Sequence, residues 1–469
     1  MISLWSIIKL TAKATMRSHI FQLLLALLLL CVFMIPMTIA GDGTAYGYIQ
    51  ISLKYSLAVI TFILSLSVIW LGCYSMSTDV ESYQLHLVIS KPVSRLKIWI
   101  GKWLGVLLIH LVLLLIAGMT IYFLILWQFS RKSFAPEQKA RIESEVMVGR
   151  RVFRPEAPDI DTIARKMLEQ RLEELKRRGD KVPEVDYKTA LAEMRKVAVA
   201  RFAEIQPGMS NIRAWHFSGI PDTGKPLFLR FRFYVNNVSS REQRVTRGQW
   251  FRAVEDTVDK DDGKENKEKK AYPSALGPPE QYMTGVFHEI KLLPKSVLWD
   301  NSVEVLFANL DPKDKPLILQ MSDGPKLLVR ATGFFGNFIR ALAVSALELV
   351  ILGGLACAVG GVMSMPVAIF MVFSYLLFGV FAQFLVGNGV ENLEGVTGYI
   401  GYWVSRGLMV LIIPMQNFDV SSYIADGELI EFALIGTLIF KYFILRALPL
   451  FLLGIMLYRR REMGLVIRK

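Results

Sequence analysis

Residues 90–105 read Ser-Lys-Pro-Val-Ser-Arg-Leu-Lys-Ile-Trp-Ile-Gly-Lys-Trp-Leu-Gly. This proline-broken stretch carries Lys91, Arg95, Lys97 and Lys102 and lies between two long apolar runs, about 55–77 and 103–127. Crossing the hydrocarbon of a bilayer takes about 20 apolar residues in a helix, and each run is long enough. The basic stretch then reads as a loop at one membrane face, either an inert surface loop or a place where something docks.

Four further apolar runs lie outward from it, at about 19–40, 338–363, 366–387 and 435–458, making six expected spans. With 53% hydrophobic residues and a mean hydropathy of +0.39, the chain is too apolar for an ordinary soluble protein. Thr38-Ile39-Ala40 imitates a signal cleavage site, but the run before it is longer than a signal core of about 7–15 residues. Met1–Ser18 mixes Trp5, Ile7, Ile8 and Leu10 with Lys9, Lys13 and Arg17, which suits an amphipathic helix lying flat on a membrane. Basic residues cluster before the first span, between the second and third, and after the last (Arg459, Arg460, Arg461, Arg468, Lys469). With six spans these clusters share one side, which the positive-inside rule makes cytoplasmic, both termini included. The stretch 399–416 is apolar around Arg406, a costly charge for a span, and is expected as an interfacial or re-entrant segment.

The middle of the chain, 129–334, is charged and falls outside the cytoplasm in this topology. It supplies +7 of the net +13, with 37 basic and 30 acidic residues. Basic membrane loops account for the rest of the charge, so nucleic acid is not an expected partner. Within it, 135–205 reads as helical: Ile160, Ile163, Met167, Leu168, Leu172 and Leu175 recur at three- and four-residue spacing, with Asp159 or Asp161 as cap. From 210 to 332 the period becomes two, as in Leu227, Leu229, Phe231, Phe233 and Val235, and a β-sandwich is expected. Asp256–Lys270 is expected as a loop.

The expected fold is thus a polytopic α-helical membrane protein. It has six transmembrane helices and an inserted extracytoplasmic α+β domain, a helical hairpin plus a β-sandwich. Residues 1–128 hold the surface helix and spans one to three, with a cytoplasmic segment at 78–100. Residues 335–469 hold spans four to six.

Little chemistry is offered. Gly219–Lys225 has the spacing of a phosphate-binding loop, but Pro226 stands where Ser or Thr would hold magnesium, and a strand is expected next. It reads as a turn. His19, His86, His110, His216 and His288 lack metal spacing, and the three cysteines lie in apolar runs. No catalytic residue, metal or cofactor is expected. Trp215, Trp250 and Tyr282 are read first as core, with stacking on a ligand as the other reading. Glu348 and Arg446 fall near mid-membrane on the fourth and sixth spans, where a lone charge is expensive, and an ion pair between them is expected.

Asp79–Ile89, ahead of the opening stretch, starts polar and turns apolar, as a short helix on the membrane face would. The whole of 77–105, STDVESYQLHLVISKPVSRLKIWIGKWLG, resembles the hallmark of ABC transporter permeases of the type-2 exporter class. In that family an acidic residue opens a short helix, a Ser/Thr-x-Pro-x-x-Arg turn follows, and Gly-Lys-x-x-Gly begins the third span. The matching residues are Asp79 and Glu81, then Ser90, Pro92 and Arg95, then Gly101, Lys102 and Gly105. The resemblance covers about 1–128 and 336–469; the insert of roughly 200 residues departs from it and suggests an exterior protein or glycan partner. It implies a multi-pass subunit of a bacterial cytoplasmic (inner) membrane, without catalysis of its own. The implied partners are a cytosolic ABC ATPase and a second permease chain, identical or not. Asp79, Glu81, Ser82, Tyr83 and Gln84 would form the coupling helix entering the ATPase. The competing expectation is an exterior binding or scaffold protein of the cell envelope, with the spans as anchor.

Overall fold

The computed structural model describes residues 2–39, 44–81, 93–131, 134–178, 187–221, 224–235, 245–259, 267–311, 315–321, 323–386 and 395–460. The chain divides into two compact units, Met1–Gly149 with Thr332–Lys469, and Arg150–Ala331.

The first unit begins with α1 (Ile2–Arg17), α2 (His19–Thr38), α3 (Ala45–Glu81), α4 (Arg95–Arg131) and α5 (Pro136–Glu145). The second unit follows, with α6 (Ile160–Arg178), α7 (Tyr187–Ala203) and the strands given below. The chain returns to the bundle as α8 (Phe334–Gly360), α9 (Met365–Val386), α10 (Gly395–Leu411), the short α11 (Ser421–Ala425) and α12 (Phe432–Arg460). In α12, Leu438–Ala447 takes π-helical turns just ahead of Pro449, whose missing N–H cannot complete the ordinary i−4 bond.

Seven stretches of the described residues are long and apolar enough to cross a membrane. The one beyond the expected six is Ile400–Ala425, and its helix stops at Leu411. Leu23 and Leu30 on α2, Leu115 on α4, Phe370 and Phe378 on α9 and Leu452 on α12 remain exposed. Apolar surface on that scale is what a lipid solvent selects and water does not, and we read this unit as membrane-embedded.

Polar contacts order the helix ends. At one end, Ser77 Oγ donates to the Gly360 carbonyl at 2.9 Å, and Arg95 Nη1 to the Arg459 carbonyl at 2.6 Å. At the other, Gln128 Nε2 and the Tyr48 hydroxyl both donate to the Pro36 carbonyl, at 2.9 and 2.7 Å. There Asn337 Nδ2 also donates to the Glu428 carbonyl at 2.8 Å, and its Oδ1 accepts the Ile430 N–H at 2.9 Å. The helices α2, α3, α4, α8, α9 and α12 therefore alternate in direction.

In the second unit α6 and α7 pack through Ala164, Leu168, Met194 and Ala198, and Arg195 pairs with Asp161 at 2.8 Å. Asp159, not Asp161, caps α6: its Oδ1 accepts the Thr162 N–H at 3.1 Å. The strands are β1 (Val148–Phe153), β2 (Glu204–Ile205), β3 (Arg213–Phe217), β4 (Leu227–Arg232), β5 (Tyr234–Val235), β6 (Val245–Asp259), β7 (Lys267–Ala275), β8 (Glu280–Met283), β9 (Phe287–Leu292), β10 (Val303–Asn309), β11 (Leu317–Ile318) and β12 (Lys326–Gly333). They form sheets β1-β12-β4-β9, β3-β10-β6-β7 with β8 on β6, and β2-β11-β5. Inward residues of the two larger sheets share one core, including Leu229 and Phe231 from one and Phe217, Trp250 and Phe307 from the other.

Three expectations change. Val148–Phe153 is a strand inside the segment read as helical. Residues 129–149, α5 included, belong to the bundle unit rather than to the insert. The two flanks of the charged run expected as a loop are strand, with Asp256 opposite Lys270 and Asp259 opposite Lys267, while 260–266 fall outside the described residues.

Candidate functional site

The start of α4 is a crossing point. Gly101 and Gly105 sit under α1: a Cβ on Gly101 would stand 2.7 Å from Ile7 Cγ2, and one on Gly105 would stand 2.7 Å from Thr11 Cβ and 2.9 Å from the Ile8 carbonyl oxygen. Only glycine allows the two helices this close. α1 buries Thr11 and Thr15 and leaves Trp5, Leu10 and Met16 exposed, an inverted face suited to lipid. Lys102 is buried, its ammonium donating to the Ser75 carbonyl of α3. Trp99 is also buried and donates through Nε1 to the Cys357 carbonyl of α8 at 3.3 Å. With Arg95 on the Arg459 carbonyl, the first turns of α4 touch α1, α3, α8 and α12. Lys102, the lysine of the Gly-Lys-x-x-Gly start, thus ties α4 to α3 rather than facing solvent.

Asp79 and Glu81 lie in the last turn of α3, which runs on through them rather than ending to let a separate helix begin at Asp79. Ser82, Tyr83, Gln84, Ser90 and Pro92 fall outside the described residues.

The expected Glu348–Arg446 ion pair is not formed, and each group has another partner. Glu348, 9% exposed, accepts the Ser65 hydroxyl of α3 at 3.1 Å. Arg446 donates through Nη1 to the Ile412 carbonyl at 2.6 Å, and its guanidinium lies 5.3 Å from the Tyr442 ring centre. The reason is local. The last carbonyls of α10 lack intrahelical partners, and an apolar setting makes that costly. Tyr375 donates its hydroxyl to the Leu411 carbonyl at 2.9 Å and accepts the Ile413 N–H at 3.0 Å. Arg446 supplies the donor for the next carbonyl, that of Ile412. Beyond Pro414 the chain turns along α9, where Gln416 donates to the Val380 carbonyl, and it reaches Gln50 of α3 at Asp426.

This returning segment completes a cavity of about 390 Å³ among α3, α8 and α9. Glu348, Asp419, Ser65, Thr61 and Gln416 are among its polar lining, beside leucines and phenylalanines. Nothing in residue spacing singled out Asp419, Ser65 or Tyr375; the returning chain brings them to Glu348 and Arg446. His110 is satisfied within the bundle, bonded to Ser67 Oγ at 2.9 Å and the Val106 carbonyl at 2.8 Å. Cys73 and Cys357 are buried and free, and Cys31 is half-buried.

In the other unit, Trp215, Trp250 and Tyr282 are core residues at 7%, 2% and 4% exposure. The Gly219–Lys225 stretch leads into strand β4, so no helix N-terminus stands there to meet a phosphate. Asp323 accepts the Tyr234 hydroxyl and pairs with Arg232 at 2.8 Å. Burial opposes its ionisation, but those two donors outweigh burial and hold the carboxyl below the usual carboxylate range. Among the described residues no group of three His, Cys, Asp or Glu could hold a metal ion. Searches of protein-family models, curated proteins and solved structures find no match to this chain.

Proposed function

We propose that this chain is the membrane-spanning permease subunit of an ATP-binding-cassette transporter of the type-2 exporter class. A separate cytosolic ATPase drives it, and it works beside a second permease chain. The observation that carries the reading is the crossing point at the start of α4. A push on the segment 82–92 enters the ends of α3 and α4 together, and Arg95, Lys102 and the two glycines pass it to α12, α3 and α1. An inert loop needs no such linkage. In this reading α2, α3, α4, α8, α9 and α12 are the six crossings, α10 is re-entrant, and both termini face the cytoplasm of a bacterial inner membrane. The strand-rich unit, its two larger sheets packed as a sandwich, then stands outside and meets a protein or glycan there.

The test is co-purification from the native host of the wild-type chain and of an Asp79→Ala, Glu81→Lys double variant. The expected result is a nucleotide-binding subunit with measurable ATP hydrolysis on the wild type, lost from a variant that still folds. Absence of any ATPase from the wild type, or its equal retention by the variant, refutes the docking assignment. An exterior binding protein with membrane anchors would then be the better account.

A further inference from the structure

Glu348 has one hydrogen-bond partner among the described residues, the Ser65 hydroxyl, which occupies Oε1. Its carboxyl lines the cavity. Asp419 lines the same cavity and is oriented from within its own turn, accepting the Ser421 hydroxyl at 2.6 Å and the Ser421 N–H at 3.0 Å. No Lys, Arg or His occurs among the lining residues. The counter-charge expected from the sequence, Arg446, is committed to the Ile412 carbonyl. The walls are apolar and aromatic: Phe62, Phe373, Phe381 and Phe418 all contribute. Phe62, Leu377 and Phe381 are also exposed on the flank of the bundle, so the mouth opens there.

A nearly buried carboxyl without a cation is a costly arrangement. Two carboxyls, aromatic faces and an apolar body of space together complement one kind of occupant. We propose that the cavity binds a lipophilic organic cation, with its charge at Glu348 and Asp419 and its apolar body against the phenylalanines. The small hydroxyls of Thr61 and Ser345, 3.2 Å apart, bond to each other and leave the carboxyls as the charged contacts. Calling this occupant the cargo rests on the transport reading; the binding itself does not.

The experiment uses the purified full-length chain in nanodiscs of zwitterionic lipid, without any ATPase. The probe is radiolabelled tetraphenylphosphonium, with tetraphenylborate as competitor of matching shape and opposite charge. Saturable binding of the cation is expected, without displacement by the borate. Glu348→Gln keeps an acceptor for Ser65 and should weaken binding at least about tenfold, the scale of losing one partner of a desolvated charge contact. Ala58→Trp fills the cavity with Glu348 intact and should abolish binding. Non-saturable uptake, equal competition by tetraphenylborate, or wild-type affinity in Glu348→Gln overturns the proposal. If Glu348→Gln proves unstable, Ala58→Trp decides, and wild-type affinity there overturns it. Failure here leaves ATPase docking untouched, and failure of docking leaves this binding to be measured.

Discussion

Replacing Arg446 separates the cap from the ion pair. In Arg446→Met the Ile412 carbonyl loses a charged donor at 2.6 Å. A hydrogen bond to a charged group contributes about 1.5–3 kcal/mol, and an acceptor left unpartnered in an apolar setting costs on the order of the upper value. The expected destabilisation is therefore about 2–3 kcal/mol. Glu348→Gln keeps the Ser65 bond and should cost less than about 1 kcal/mol. The two side chains share no partner, so the double variant should be additive to within about 0.5 kcal/mol. An ion pair at contact distance would couple them by up to about 4 kcal/mol at an effective dielectric near 20, well clear of that limit. Unfolding of the four proteins in mixed micelles, followed by tryptophan fluorescence, measures the coupling. A coupling above about 1.5 kcal/mol, or recovery of stability in the charge-swapped Glu348→Arg, Arg446→Glu chain, would refute the capping argument.

Four other perturbations follow from particular contacts. Gly105→Val drives a side chain into Thr11 and the Ile8 carbonyl; it should cost about 1–3 kcal/mol and expose α1 to protease. Gly401→Ala, with nothing within 4 Å of the added carbon, should leave melting unchanged or slightly raised. Glu289→Gln weakens a pair whose Arg150 and Glu289 side chains are 0% and 5% exposed. It should cost about 3–5 kcal/mol in denaturant unfolding, and Arg150→Met together with Glu289→Leu should recover much of the loss. Asp323 has a lowered folded-state pKa, so its contribution is complete above the ordinary carboxylate value near 4 and is lost as pH falls through the folded value. Wild type should lose stability in acid more steeply than Asp323→Asn, read from melting curves between pH 5 and pH 2.

Long apolar runs were legible because lipid-facing and bundle-facing positions are both greasy, and run length alone marks a helix that can cross. The aromatic positions of β4 were legible because a strand with one buried face must alternate. That α3 would run on through Asp79 and Glu81 was not, since helix continuity past an apolar run depends on what the extra turns pack against. Ser77 on Gly360 and Lys102 on Ser75 hold α3 in register as far as its last turn. The Glu348–Arg446 pair was a sound inference about cost and a wrong one about remedy. A mid-membrane arginine can be neutralised by a carboxylate or employed by a bare carbonyl, and one-dimensional spacing does not distinguish them.

The sequence by itself determined that this is a polytopic helical protein with a large charged insert of helices and strands, because burial periods and run lengths are properties of the chain. It also determined which glycines begin α4. Only the tertiary structure decided what those glycines are for, where Arg446 donates, and that Ser65, Glu348 and Asp419 line one cavity. Such facts depend on α3, α8 and the segment after α10 meeting in space. Their residues lie up to 354 positions apart, from Ser65 to Asp419, and no local pattern carries information across that distance.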